Sequence, residues 1–187
     1  MATTVFEALL ERAVEQHGLV TTDDARELGL DPAQLRLLAA RGKLERTGRG
    51  VYRVTTLPVD DLLPYAEAVA WAHGPAAISH ESALAMRGLG DFNPTRLDLT
   101  VAPHYFPRRP IPRTLRLWRD ALPEEDIETV DGVRAARVYT ALRQVLVAGS
   151  DPHQVRRAIS EAFRQGHVTA TEADRLRHAI DRAARRA

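Results

Sequence analysis

Apolar residues at helical spacing mark the start of the chain. Phe6, Leu9, Leu10, Ala13 and Val14 fall at the i, i+3, i+4, i+7 and i+8 positions of one helix face. Thr4 with Glu7 three residues on makes a capping box, and Gly18 stands where a helix ends on a left-handed residue. Thr21 or Thr22 caps a second helix, with Asp23 and Asp24 in its first turn, running through Ala25 and Leu28 to Gly29. Asp31 caps a third, with Pro32 at the first helical position, Leu35, Leu38 and Ala39 on the inner face, and Gly42 closing it. Two short helices joined by Gly29-Leu30 read as a helix-turn-helix. A two-stranded wing follows, with arms Leu44 to Arg46 and Val51 to Val54 about the turn Thr47 to Gly50.

Beyond the linker Leu57-Pro58 the pattern changes. A helix is expected from Leu62 to His73, ended by Gly74-Pro75, and another from His80 to Arg87, capped by Ser79. Leu97 to Val101 alternates as a half-buried strand. Leu115 to Trp118, Ile127 to Val130 and Val133 to Val138 read as further strands, the last two joined by an Asp131-Gly132 turn. Helices are expected at about 140–148, 151–165 and 171–185, with Asp151 and Thr169 as caps. The fold class is α+β: a winged helix-turn-helix domain over 1–57, then a mixed α/β domain over 58–187 with a small, mostly antiparallel sheet and terminal helices.

Composition narrows the function. With no cysteine, disulfides, thiol catalysis and cysteine-based zinc sites are excluded. There is neither a membrane-length apolar run nor a basic leader with an apolar core, so a cytoplasmic, nucleoid-associated protein is expected. The net charge of +1 says little, but its distribution does. Between Arg41 and Arg53 lie Arg41, Lys43, Arg46, Arg49 and Arg53 against the single acid Glu45, five cations less one acid, or +4. Those segments are the parts of a winged helix that meet a duplex, so double-stranded DNA is the expected partner. Gln34 and Arg36 lie off the inner helix face and are candidates for base edges. Arg46, Arg49 and Arg53 are candidates for phosphate contacts, Thr22, Arg41 and Lys43 are further DNA-binding candidates, and Arg108 and Arg109 of the proline-rich loop 103–112 are candidates for a second phosphate contact.

Catalytic signals are weak. Gly48-Arg49-Gly50 lacks the spacing and the Lys-Ser/Thr ending of a phosphate-binding loop. His80 has no second histidine at helical ligand spacing, and the other histidines are scattered, so surface positions are expected for most of them. Lys43 is the only lysine, so a nuclease site that sets two acids beside a lysine cannot be built in the C-terminal part. No enzyme activity, cofactor or metal is expected.

With these residues in view, the chain resembles the AbiEi family of abortive-infection antitoxins, the repressors of type IV toxin–antitoxin systems. The resembling pieces are Arg49-Gly50-Val51-Tyr52-Arg53, then Ala77 to Leu84 with Gly88-Leu89, Leu97 to Val101 leading into Pro103, Asp126 to Val133, Ala148 to Pro152, and Ala158-Ile159 through Gly166. The resemblance implies a DNA-binding protein that represses its own operon, with a second domain adding a basic DNA-contacting surface. It also implies a nucleotidyltransferase-like toxin, countered without a stable complex. Some relatives carry an added nuclease domain; with the chain ending at Ala187, none is expected here. Arg137 to Gln144 departs from the Thr-Pro-Ala-Arg-Thr-like run common in the family. The alternatives are a protein-interaction module and a stand-alone regulator with no toxin beside it.

Overall fold

The computed structural model describes residues 4–185. The chain forms two compact units, one running through Gly74 with the addition of Val130–Val133, the other comprising Pro75–Thr129 and the residues from Arg134 onward. Both α-helices and β-strands are present, and among the described residues the strands make two sheets.

In the first unit, α1 (Val5–Val14) opens with the capping box of Thr4 and Glu7. Leu9 and Ala13 are buried and Phe6 and Leu10 partly so, but Val14 is 65% exposed rather than on the inner face. Val14 is the last residue of the helix and lies at its exposed end. A short strand, β1 (Leu19–Thr21), follows that the periodicity did not reveal. Thr21 caps α2 (Thr22–Glu27) reciprocally with Asp24. Buried Asp24 also accepts from Gln16 Nε2 at 3.1 Å, which ties the cap to the end of α1.

Next, α3 (Ala33–Ala40) starts after Asp31, whose carboxylate accepts from Ala33 N at 2.8 Å. The helix buries Leu35 and Leu38. The hairpin of β2 (Leu44–Gly48) and β3 (Val51–Val54) then pairs antiparallel, with a bulge between Arg46 and Gly48. Because β1 pairs with β3, the sheet order is β1-β3-β2 and the returning arm lies in the middle. A core of Leu9, Val20, Ala25, Leu35, Leu44, Tyr52 and Val54 joins the three helices to this sheet. The next helix, α4 (Leu63–Ala72), packs here too, setting Leu63 against Leu19 and Val51. The compact unit therefore extends past the linker expected at Leu57-Pro58, as far as Gly74.

The second unit holds a five-stranded sheet in the order β6-β5-β4-β8-β7, with ranges Ala76–Ile78 (β4), Leu97–Val101 (β5), Leu115–Arg119 (β6), Ile127–Val130 (β7) and Val133–Ala136 (β8). β4 and β5 are antiparallel, whereas β5 with β6 and β4 with β8 are parallel. The sheet is thus mixed where the sequence suggested mostly antiparallel pairing, because the unforeseen β4 pairs parallel with β8 and β6 joins β5 parallel. β5 does not alternate between core and solvent: Asp98 and Thr100 are as buried as Leu99 and Val101, since this strand is covered on both faces. Around the sheet stand α5 (His80–Ala85), α6 (Val138–Ala148), α7 (Pro152–Arg164) and α8 (Ala170–Ala184). Val138 opens α6 instead of ending a strand. Asp151 and the Thr169–Glu172 box cap the last two helices as expected.

Candidate nucleic-acid interface

Burial of Leu35 and Leu38 sets the rotation of α3, turning Arg36 and Leu37 to solvent with Gln34 half-buried beside them. Leu37 is 51% exposed, an apolar side chain amid polar ones on the outer face. The helix ends at Arg41 and Gly42, where Lys43 N returns to Leu38 O at 3.0 Å, so Arg41 and Lys43 are exposed at its C-terminal end. Lys43 Nζ sits 4.5 Å from the centre of the Phe6 ring.

The hairpin carries the remaining cations. Arg46 is exposed and its Nε donates to Gly48 O at 3.1 Å, leaving the rest of the guanidinium outward. Arg49 is exposed at the tip. Arg36, Arg41 and Arg49 pair with no carboxylate among the described residues, so their charge is uncompensated locally. Arg53 differs. Its Nη2 donates to Glu45 Oε2 at 2.7 Å, with only 19% of the side chain exposed. The two residues face each other directly across the β2–β3 ladder. Arg53 is committed to that pair rather than free for phosphate, and the hairpin is correspondingly less cationic than its composition implies.

Thr22 lies under the hairpin turn. Its backbone N donates to Gly50 O at 2.9 Å and its side chain is half-buried. A Cβ on Gly50, which has φ of +73°, would fall 2.9 Å from Thr22 Oγ1 and 3.0 Å from His73 Cε1. His73, expected at the surface, is instead half-buried and donates from Nε2 to Arg49 O at 2.6 Å, with Nδ1 3.7 Å from Asp23. Thr22, Gly50 and His73 together fix the tip that presents Arg49. A lone histidine at a helix end carries no periodic signal that would have revealed this.

In the second unit Arg108 is exposed. Arg109 is half-buried, with Nη2 3.4 Å from the Tyr105 hydroxyl. Only Arg108 of the two is presented as a solvent-facing cation.

The second unit also contains a polar cluster that sequence spacing did not reveal. Ser79 occupies the cap position of α5 but makes no capping hydrogen bond; its hydroxyl instead shares one with His80 Nδ1 at 3.0 Å. His80, at φ +50°, stacks on Trp118 with ring centres 3.9 Å apart, and its backbone N donates to Gln144 Oε1. Burial, with Arg116 nearby, lowers its pKa from 6.5 to about 4, so the ring is neutral at pH 7. Asp98, 1% exposed, accepts from Trp118 Nε1 at 2.9 Å and from Ser82 Oγ; burial raises its pKa against those bonds and Arg116. Among the described residues no group of His, Asp or Glu is arranged to hold a metal ion, and no helix is long and apolar enough to cross a membrane.

Residues 7–55 match a family described as transcriptional regulator, AbiEi antitoxin, which bears out the resemblance over that segment. No curated protein matches the chain. Among solved structures, the chain is similar to the RV2827C protein from Mycobacterium tuberculosis, with 16% identity and a TM-score of 0.51 over 94% of this chain and 72% of that one. At that identity the likeness concerns the fold alone.

Proposed function

We propose that the first unit is a winged helix-turn-helix that binds double-stranded DNA and that the chain acts, without catalysis, as a transcriptional repressor of antitoxin type. In this reading the helix from Pro32 to Arg41 enters the major groove, and Gln34 and Arg36 meet base edges. Arg41, Lys43, Arg46 and Arg49 neutralise phosphates. The observation that carries the reading is the set of uncompensated cations, Arg36, Arg41 and Arg49, on the outer face of α3, at its C-terminal end and at the hairpin tip. The AbiEi match over the same segment supports a regulator.

By extension, the chain represses its own operon in the cytoplasm, at the nucleoid, and counters a nucleotidyltransferase-like toxin encoded nearby without a stable complex. A mobility-shift assay with the protein's own upstream region tests the DNA reading; a specific shift, competed poorly by unrelated duplex, is expected. A stable stoichiometric complex with a protein partner and no shift of upstream DNA would replace it with a protein-interaction module. Specific DNA binding with no toxin gene alongside would leave a stand-alone regulator.

A further inference from the structure

The face of α3 turned away from the core is apolar along its centre. At about 100° per residue, Ala33 and Ala40 fall almost opposite the mean direction of buried Leu35 and Leu38, and Leu37 lies within about 50° of that line. Ala33 is half-buried, Ala40 is exposed and Leu37 is 51% exposed. Polar side chains border this stripe on both sides, Arg36 on one and Gln34 with Arg41 on the other. Leu37 also stands outside the core cluster that holds Leu35 and Leu38, so the packing of the unit does not call for an apolar residue there.

The surroundings select what can cover this stripe. One leucine and two alanines offer far less than the roughly 800 Å² per partner that a stable protein interface buries. Arg36 and Arg41, uncompensated on either side, match a polyanion instead. In the major groove of a duplex the apolar group on display is the C5-methyl of thymine. The remaining groups on the base edges are donors and acceptors, which a leucine would strip of water without replacing the hydrogen bond.

We propose that α3 reads thymine through Leu37, whose side chain packs on the C5-methyl between contacts made by Arg36 and Gln34. This specificity rests on the DNA reading and adds to it a base that the operator must contain. Ala33 and Ala40 keep the helix surface low on either side of Leu37, which lets the backbone approach the groove floor.

The test titrates the full chain against its own upstream duplex, prepared with thymine or with uracil throughout. Uracil deletes every C5-methyl and leaves all hydrogen-bonding groups in place. The uracil duplex is expected to bind about fourfold more weakly, the worth of one buried methyl, with no change for an unrelated duplex. Leu37→Ala should weaken the thymine duplex to a similar extent and shrink the uracil penalty below about twofold, because the two changes remove the same contact. Its fold is retained, since the side chain is exposed and alanine favours helix, and an unchanged Tm checks this. A uracil penalty that persists in Leu37→Ala would come from duplex shape and overturns the proposal, as does a specific shift with equal affinity for both duplexes; in either case the DNA reading survives. Failure of the parent chain to bind either duplex specifically refutes that reading and the thymine contact together. A Leu37→Ala variant that dissociates an oligomer while keeping its affinity for DNA overturns the proposal by assigning the stripe to a contact between copies of the chain.

Discussion

Removing one cation from the hairpin tip gives the sharpest test of the proposed DNA binding. Four cations are presented for phosphate contact: Arg41, Lys43, Arg46 and Arg49. Arg53 is left out because Glu45 holds it. Each neutralised phosphate contributes roughly −0.9 to the slope of log affinity against log salt, so the unaltered chain should show about −3.6. Affinity should then fall about 150-fold between about 50 and 200 mM salt. Arg49→Ala removes one contact, which flattens the slope to about −2.7 and cuts the fall to about 40-fold. At about 100 mM salt the variant should bind roughly eightfold more weakly, equally for operator and unrelated duplex, because a phosphate contact carries no sequence information. Fluorescence anisotropy of a labelled duplex titrated across that salt range reads both numbers. An unaltered slope in the variant, or a slope shallower than about −2 in the parent, would refute the placement of these cations on the duplex.

Glu45→Gln should release Arg53, tightening binding and steepening the same slope toward about −4.5, as a fifth phosphate contact would. Gln34→Ala should relax preference at particular base pairs by about 1–3 kcal/mol while leaving the slope alone, read by competition with single-base operator variants. Gly50→Ala should destabilise the first unit by about 2 kcal/mol or more in urea, from left-handed strain plus the clash with Thr22 and His73; Gly29→Ala, at φ +70° with open space around it, should cost only about 1 kcal/mol. For pH, His80 has a lowered folded pKa, so the unfolded chain binds the extra proton between pH 6.5 and about 4 and stability falls as pH drops through that window, by at most about 3 kcal/mol. Asp98, with a raised pKa, acts in the opposite sense: its folded form holds the proton more tightly, and its contribution is lost as pH rises above 3.8. His80→Asn, a residue that tolerates positive φ, should flatten the acid limb of chemical-denaturation stability, and an unchanged limb would count against a neutral buried imidazole.

What the sequence made legible follows from which signals are local. Helix ends were readable because Thr4 with Glu7, Thr21 with Asp24 and Thr169 with Glu172 each satisfy backbone donors three residues away. The hairpin was readable because Gly50 must adopt a left-handed conformation that few residues reach. Three-residue strands such as β1 and β4 are too short to show a period, and both are defined by partners far along the chain. Asp98 and Thr100 gave a polar alternation that tertiary covering overrode. The Arg53–Glu45 pair was within reach, since the two stand opposite each other once the turn is fixed, but a count of charges cannot tell a held arginine from a free one. The stack of His80 on Trp118 joins residues 38 apart in sequence (118 less 80), and no spacing rule anticipates it.

The strand order in the first unit has one more consequence. Among the described residues β2 is a rim of its sheet, with one row of amides and carbonyls unclaimed by a neighbouring strand. Such a rim invites another polypeptide to continue the ladder, yet this one bears Glu45, Arg46 and Thr47 in solvent and breaks register at its bulge. The charged and polar side chains on this arm and its broken register therefore protect each molecule from being stitched edge to edge onto the next.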